Sequence, residues 1–223
     1  MADIIQVNEA FRCQLLAREA ESAAALLLAY GTVWTALADR RDAVLAVIER
    51  AQARGETVAP SLVIASRETR QLLLQVVGEI DSLAPALTDH VTTEQAAAVA
   101  LAQQALPNLI AAAMGPAPVN VSVGPVRHLP AEAFTDLVGF LSDGSPLRRL
   151  FEGFGADASQ QMRDALYTGL AVGENPQQIA TRMRNAFGGN LMRALTVSRT
   201  ETLRAWRRTS ETPVLVPQFR TGC

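Results

Sequence analysis

The sequence predicts a mainly α-helical protein: a long helical hairpin or three-helix arm, followed by a compact helical C-terminal domain with at most a short strand segment. Two observations support this prediction. Apolar residues recur at alternating steps of three and four over most of residues 4–114, which is helical spacing. Proline and glycine then concentrate in residues 115–130, GPAPVNVSVGPVRHLP, and helix boundary signals recur after them. The chain has 223 residues, of which 49% are hydrophobic, enough to fill a core.

The first element, residues 4–54, is predicted as one long helix or as two helices with a hinge near Gly31. Gly55 ends it and Pro60 opens the next helix. The seam along this element has heptad spacing interrupted once, by an arginine. It comprises Ala23, Leu27, Tyr30, Trp34, Leu37, Arg41, Val44, Ile48 and Ala51.

A second seam with the same spacing follows Pro60. A short connection between two such helices predicts an antiparallel hairpin. We favour burial of both seams inside a bundle over an intermolecular coiled coil. The many alanines bury little area, so a partner that covers these helices stays an alternative. The second seam comprises Leu62, Ser66, Thr69, Leu73, Val76, Ile80 and Leu83.

A third helix is predicted after a break at Pro85. Thr92 and Gln95 have the spacing of a capping box, which places the new helix start there. The helix is rich in alanine and runs to Met114, with a kink at Pro107.

The domain organisation follows composition and charge. Residues 1–144 contain nine Arg and sixteen acidic residues, whereas residues 145–223 contain eleven Arg and six acidic residues, and the chain has no Lys. Val119, Val121 and Val123 alternate with small or polar residues, which predicts a short strand. We therefore divide the chain into a heptad-bearing arm at 1–114, a linker at 115–130, a helical domain at 131–211 and an extended tail at 212–223.

Short helices are predicted at residues 131–141 and 146–154 of the helical domain. The sequence Asp143-Gly144 ends the first, and Ser145-Pro146 begins the second. Asp157 and Gln160 provide a cap signal for the next helix, which Gly173 ends.

A further helix begins at Pro176, because Asn175 offers a side-chain oxygen to a free N–H and Gln178 lies three residues later, as in a capping box. The sequence Gly188-Gly189 is predicted to stop this helix, with Asn190 as the cap of a final arginine-rich helix.

The final helix has contrasting faces at 100° per residue. We predict that Arg199 projects on the buried side, where its guanidinium needs a planar partner, so that Arg199→Lys destabilises the domain. Glu201 is predicted to form a surface pair with Arg204. One face comprises Leu191, Leu195, Ser198, Thr202 and Trp206, and another comprises Arg193, Arg204, Arg207 and Arg208.

Two ungapped runs in this region share a longer pattern, GLAVGENPQQIATRMRNAFGG and RALTVSRTETLRAW. The matching residues are Gly169, Gly173, Glu174, Asn175, Pro176, Ile179, Ala180, Arg184, Phe187, Gly188, Arg193, Ala194, Arg199, Thr200, Glu201, Thr202, Arg204 and Ala205. The pattern resembles the tailed-phage minor head proteins, also called head morphogenesis proteins, of the Mu F-like type. Members of that family generally continue past this helix, so the chain is expected to be a short form or part of a longer protein.

The resemblance implies a structural protein that is incorporated at the portal vertex during procapsid assembly and lies inside the virion capsid, after synthesis in the host cytoplasm. The implied partners are the portal protein and capsid or scaffold components, and the motif residues are assigned to structure. The arginines Arg193, Arg204, Arg207 and Arg208 suit nonspecific contact with the phosphates of double-stranded DNA. The alternatives are a free-standing helical nonspecific DNA-binding protein and the delivery half of a phage-derived toxin.

Catalytic chemistry is not indicated by the sequence. His90 and His128 have no acid or nucleophile at a recognised spacing and are predicted as surface or turn residues. No H-E-x-x-H, G-x-S-x-G or P-loop motif occurs, and Cys13 and Cys223 lack CxxC spacing. We therefore expect no enzyme activity, cofactor or metal. We also expect no membrane partner, because no apolar run approaches the ~20 residues that cross a bilayer.

Overall fold

The computed structural model describes residues 4–56, 58–114 and 137–211. The described part of the chain is helical and contains no strand, only an isolated antiparallel bridge between Phe140 and Pro146. The prediction of a mainly α protein is confirmed. The predicted strand at residues 119–123, the linker and the tail lie outside the described residues. The helices are α1 (Ile4–Ala36), α2 (Ala38–Ala53), α3 (Pro60–Ile64), α4 (Arg67–Met114), α5 (Leu147–Glu152), α6 (Phe154–Val172) and α7 (Pro176–Glu211).

The first arm of the predicted hairpin, residues 4–54, bends at Leu37 and not at Gly31. α1 runs through Gly31, and α2 departs from it at an angle of 49°. The backbone N–H of Leu37 still donates to the carbonyl of Val33 at 3.1 Å, so the two helices meet without a loop. One glycine costs a helix only about 1 kcal/mol, whereas the fully buried Leu37 side chain gains more from the core.

This first arm and the second arm, which consists of α3 and α4, form the predicted antiparallel pair. Arg18 pairs with Glu94 near one end, and the amide of Gln75 donates to the carbonyl of Ala36 at 3.0 Å nearer the other. Gly55 ends the first arm with φ of 69°, and Pro60 begins α3. Because α3 is short, the second arm restarts after Ser66, whose hydroxyl accepts a hydrogen bond from the N–H of Thr69 at 3.1 Å.

α4 is one helix of 48 residues, so the predicted break at Pro85 and new start at Thr92 are wrong. The helix also continues through Pro107. Proline removes one backbone hydrogen bond, but Ala84 and Leu87 beside Pro85 are buried, and this burial favours a continuous helix. Gln95 is fully buried and, instead of capping a helix, binds the turn that precedes α5.

α7 is also continuous, and the predicted stop at Gly188-Gly189 is wrong. Neither glycine has positive φ. Instead, Gly189 allows close approach to α6, since a Cβ there would lie 3.3 Å from Oε1 of Gln161. Asn190, expected as a helix cap, is buried and donates to the same oxygen at 3.2 Å. Packing against α6 therefore replaces the expected boundary.

α6 begins three residues earlier than its expected cap at Asp157. The predicted helix at residues 146–154 ends at Glu152, and α6 starts at Phe154. Asp157 lies in the first turn of α6 and pairs with Arg193 of α7. Gly155 explains the early start, because a Cβ there would lie 2.3 Å from Oδ1 of Asp81, so the first turn of α6 packs directly on α4.

One core joins the two halves of the chain. Phe187 of α7 packs against Tyr30 and Trp34 of α1, with ring centroids 5.8 and 5.4 Å apart. Burial raises the pKa of Tyr30 to about 12. The core cluster spans α1, α2, α3, α4, α5, α6 and α7, and includes Tyr30, Leu37, Ile48, Val63, Ile80, Phe151, Leu166, Ile179 and Ala194.

The predicted seams are correct in the centre and shifted by one residue elsewhere. Leu37, Val44 and Ile48 are buried inside the chain, which confirms an intramolecular core for that stretch. In contrast, Leu27 and Leu62 are exposed and their neighbours Leu26 and Val63 are buried. On α1 the shift arises because this helix packs against both α4 and α7, and not against α4 alone.

Candidate functional site

The turn between α6 and α7 is built as its sequence predicts. Gly173 has φ of 80° and ends α6 in the left-handed conformation. Asn175 Oδ1 accepts from the N–H of Gln178 at 2.9 Å, and Gln178 Oε1 accepts from the N–H of Asn175 at 3.0 Å. This reciprocal capping box confirms the predicted start of α7 at Pro176.

A carboxylate and a guanidinium lie across this turn. Glu174 accepts two hydrogen bonds from Arg182, one from Nε at 2.9 Å and one from Nη2. The hydrogen bonds from Arg182 hold the pKa of Glu174 below its ordinary value. Gly169 lies beneath the pair, where a Cβ would be 2.8 Å from Oε2 of Glu174 and 2.9 Å from Cγ1 of Ile179. The motif glycine is therefore a point of close contact. Arg182 lies outside the recognised pattern, nearly two turns after the start of α7, and the sequence analysis did not single it out.

An open cleft of about 930 Å³ lies beside this pair, between α6 and α7. Its lining is mostly amide and hydroxyl side chains over a floor of Ala165 and Ala186. The cleft is lined by Gln161, Asp164, Thr168, Gln177, Gln178, Thr181 and Asn185, in addition to the turn residues. Of the other motif residues here, Arg184 is exposed and Gly188 has no neighbour within 4 Å of a Cβ.

Arg199 is at the surface, and the prediction that it is buried is wrong. Its side chain is 62% exposed, and its Nε lies 3.0 Å from Oε1 of Glu19 on α1. Thr200 is exposed and Thr202 is half-buried. α7 instead buries Ala194, Ser198, Glu201 and Ala205, a stripe rotated from the predicted apolar face. Apart from Glu201, the stripe consists of small side chains, which allow α1 and α4 to pack closely on α7.

The buried ion pair of α7 is Glu201 with Arg204. Glu201 is 5% exposed and accepts from Nε of Arg204 at 2.6 Å, so the predicted pair exists but lies inside the protein. Nη2 of Arg204 donates to the carbonyls of Phe140 and Leu137. Gln95 of α4 binds the same turn through the N–H of Gly139 at 2.8 Å. Arg204 therefore fixes the turn before α5 and does not belong to the predicted arginine face.

The remaining predicted contact residues are distributed along α7. Arg193 lies 2.7 Å from Asp157, and its guanidinium lies over the ring of Phe154 at 5.1 Å. Arg207 and Arg208 are exposed at the C-terminal end of the helix. The structure therefore places three of the four predicted arginines at the surface.

A polar contact that sequence reasoning missed joins α1, α4 and α7, with Ser22 and Ser198 buried and His90 half-buried. The Ser22 hydroxyl lies 2.8 Å from Nε2 of His90 and 3.2 Å from the hydroxyl of Ser198. It lines a pocket of about 260 Å³ between the three helices. His90 is thus a helix–helix contact, and the prediction of a surface or turn residue is wrong. His128 lies outside the described residues. The sequence separations of 68 and 176 residues left no local signal.

The hydroxyl–imidazole distance in this group permits proton transfer. Acyl-transfer chemistry also needs N–H donors directed at a developing oxyanion. Ser22 lies in the middle of α1, where the backbone N–H groups are used in the helix. The arrangement therefore acts as a polar contact between three helices. Among the residues described, no cluster of three or more His, Cys, Asp or Glu side chains could hold a metal.

No family model, curated protein or solved structure matches this chain. Within the described ranges, no single helix has the length and apolar composition to cross a membrane. Taken together, the bent pair of Glu9–Ala36 and Ala38–Ala53 does have that length and composition.

Proposed function

We propose that this chain is a structural minor head protein of a tailed phage, which joins the portal vertex during procapsid assembly. The observation that supports the proposal is the motif at residues 169–205, which resembles the head morphogenesis proteins. Gly169, Gly173, Glu174 and Asn175 form the joint between α6 and α7, and Ile179 and Phe187 fill the core behind it.

The second half of the motif also connects elements. Arg199 pairs α7 with α1, and Glu201 with Arg204 holds the turn before α5. Because these motif residues hold helices together, they favour a structural role, in which the protein offers a fixed surface to its partners. The acidic first half of the chain and the basic second half offer surfaces of opposite charge for an assembly of portal, capsid and scaffold components.

The test is co-expression with the portal protein from the same gene neighbourhood, with a tag on the portal. The full-length chain is used, because the two halves share one core. Retention on the tagged portal, together with detection in purified particles, supports the proposal. Absence from particles and loss of retention at both low and high salt overturn it.

Nonspecific contact with packaged double-stranded DNA is a second proposed activity of the same protein. The observation that favours it is the charge of α7, which contains seven Arg and two Glu. Affinity for labelled duplex DNA should fall with salt, and a double change of Arg207→Ala and Arg208→Ala should reduce the slope of log K against log salt by about 1.8. The matched control is Arg67→Ala with Arg70→Ala on the acidic half. A salt-independent affinity, or an equal effect of both double changes, removes this activity.

The same DNA measurement separates the proposal from a free-standing DNA-binding protein. That alternative requires tight binding to duplex DNA at moderate salt by the chain alone, without retention on the portal. A minor head protein should instead be retained on the portal and should not bind duplex DNA tightly at moderate salt.

A further inference from the structure

The outward face of α1 is an exposed surface with no charged side chain along its centre. Its members recur at steps of three and four, so they form one straight stripe. We call this stripe the outer α1 face. It comprises Cys13, Ala17, Ala20, Ala24, Leu27, Leu28, Gly31 and Thr35, all of which are exposed.

This face is more apolar than its composition suggests. Leu27 and Leu28 are 53% and 74% exposed. The hydroxyl of Thr35 donates to the carbonyl of Gly31 at 2.9 Å, and the adjacent Thr32 donates to Leu28 at 3.0 Å. Both hydroxyl protons are therefore used inside the helix and do not need water. A Cβ on Gly31 would meet no atom within 4 Å, and all eight members of the stripe are exposed, so no described part of the chain covers it.

The large side chains of the stripe lie together, on the C-terminal side of Ala24. Its N-terminal half carries Cys13, Ala17 and Ala20, and its C-terminal half carries Leu27 and Leu28. A second α1 that runs antiparallel would place the leucines of each copy on the alanines of the other. The stripe is thus complementary to itself under a two-fold axis, as an isologous interface requires.

We propose that the outer α1 face is the interface between two copies of this chain, which pair with their α1 helices antiparallel and cross near Ala24. The stripe is roughly 35 Å long at 1.5 Å per residue. With a contact width of roughly 10 Å it covers on the order of 400 Å² per copy, about half of the ~800 Å² that a standard interface buries on each side. The pairing is therefore reversible and depends on concentration.

A membrane surface is the competing partner, since α1 and α2 together have the length and apolar composition of a broken membrane span. α1 contains two Arg and three Glu, and one of its arginines, Arg18, already pairs with Glu94. Helices that lie on membranes instead carry an excess of cationic residues on their polar face. The charge of α1 therefore favours a second copy.

The first experiment is sedimentation velocity of the full chain over a hundredfold range of concentration. The double change of Leu27→Glu and Leu28→Glu should weaken dimerisation by at least about tenfold, because each dimer would bury four carboxylates. The matched control is Leu62→Glu with Leu74→Glu, two leucines that are 73% and 72% exposed on other helices. This control should dimerise like the parent chain.

Circular dichroism first confirms that both double variants are folded. A parent chain that stays monomeric throughout, or an equal loss of dimer in both variants, overturns the proposal. Flotation of a monomeric parent chain with phosphatidylcholine vesicles, abolished by the change at Leu27 and Leu28, also overturns it and assigns the face to a membrane.

The orientation is tested by oxidative cross-linking. In the antiparallel pair the two Cys13 residues are about 33 Å apart at 1.5 Å per residue, far beyond the ~7 Å limit for a disulfide. Ala24→Cys, made with Cys13→Ser and Cys223→Ser, should instead cross-link near the two-fold axis. Efficient cross-linking of Cys13 to Cys13 in the Cys223→Ser chain, with none at position 24, contradicts the antiparallel pair.

Discussion

Three glycines of the α6–α7 region differ in role although the sequence pattern treats them alike. Gly173 supplies a left-handed turn, whereas Gly169 supplies space for Glu174 and Ile179. Gly188 lies in the middle of α7 with nothing within 4 Å of a Cβ. A glycine with neither positive φ nor a close neighbour weakens its helix without a compensating contact.

Alanine at positions 169 and 188 should therefore have opposite effects. Gly169→Ala inserts a methyl group into two contacts under 3 Å, and we expect unfolding to become easier by about 1–3 kcal/mol. Gly188→Ala should stabilise the protein by about 0.5–1 kcal/mol, because alanine is the better helix former. Urea unfolding measures both. A loss of stability at position 188 would restore the interpretation of a helix boundary there.

Arg199 and Arg204 have exchanged the roles that the sequence predicts. Helical periodicity places Arg199 on the buried side only if the apolar face is centred on Leu195. The described helix centres its buried stripe on Ala194 and Ser198, which moves Arg199 outward and Glu201 inward. An error of one position on a helix is 100°, and that is enough to exchange a buried and a surface charge.

Lysine at position 204, and not at position 199, should destabilise the protein. Arg204→Lys removes the planar fork that reaches Glu201 and the carbonyl of Phe140 together, so we expect a loss of about 1–3 kcal/mol. Arg199→Lys keeps an exposed pair with Glu19 and should change stability by less than about 0.5 kcal/mol. Thermal and urea unfolding of both variants gives the comparison. A larger effect at position 199 contradicts these assignments.

At the level of helices, neither cap signals nor breaker signals were sufficient alone: the box at Asn175 and Gln178 marks a helix start, whereas the cap signals at Thr92, Asp157 and Asn190 do not. The box at Asn175 and Gln178 was predictable because both partners are local and the backbone N–H groups need acceptors wherever the helix packs. The breaks expected at Pro85 and Gly188-Gly189 depend on a cost of a few kcal/mol that burial elsewhere can exceed. Continuous α4 and α7 exist because other helices pack along their length, which local sequence does not encode.

Glu174 should make the α6–α7 joint sensitive to acid. Its pKa is lowered in the folded protein by hydrogen bonds from Arg182, so the folded state favours the charged carboxylate. The resulting stability is present above its ordinary value of 4.5 and is lost as pH falls through the lower folded pKa. The parent chain should therefore be more stable than the Glu174→Gln variant at pH 7, and the difference should decrease below pH 4.5.

This comparison is made by urea unfolding of both proteins between pH 7 and pH 3. Subtracting the variant removes the contribution of the other carboxylates, provided that they are unaffected by the change. A difference that stays constant over the whole range would show that the ion pair does not hold the joint.

For the whole molecule, periodicity predicted the helical class and the antiparallel first arms but not the shared core. Each seam shows which residues are buried, but the side chains that cover them belong to helices that are distant in sequence. The contact of Phe187 with Tyr30 and the polar contact of Ser22, His90 and Ser198 are of this kind. Such contacts leave no pattern within either segment, and for this reason the sequence analysis did not predict them.

The shared core predicts that the helical domain expected at residues 131–211 does not fold alone. In isolation α7 would expose Phe187, which packs on Tyr30 and Trp34 of α1 in the full chain, and α6 would lose its contact with α4. We expect a single cooperative transition for the full chain and a gradual, non-cooperative loss of helix for a 131–211 fragment in urea. Adding residues 1–114 in trans should restore a cooperative transition, because that segment carries α1 to α4. A fragment that unfolds cooperatively, with the midpoint of the full chain, would instead show that the arm is an appendage to an independent domain.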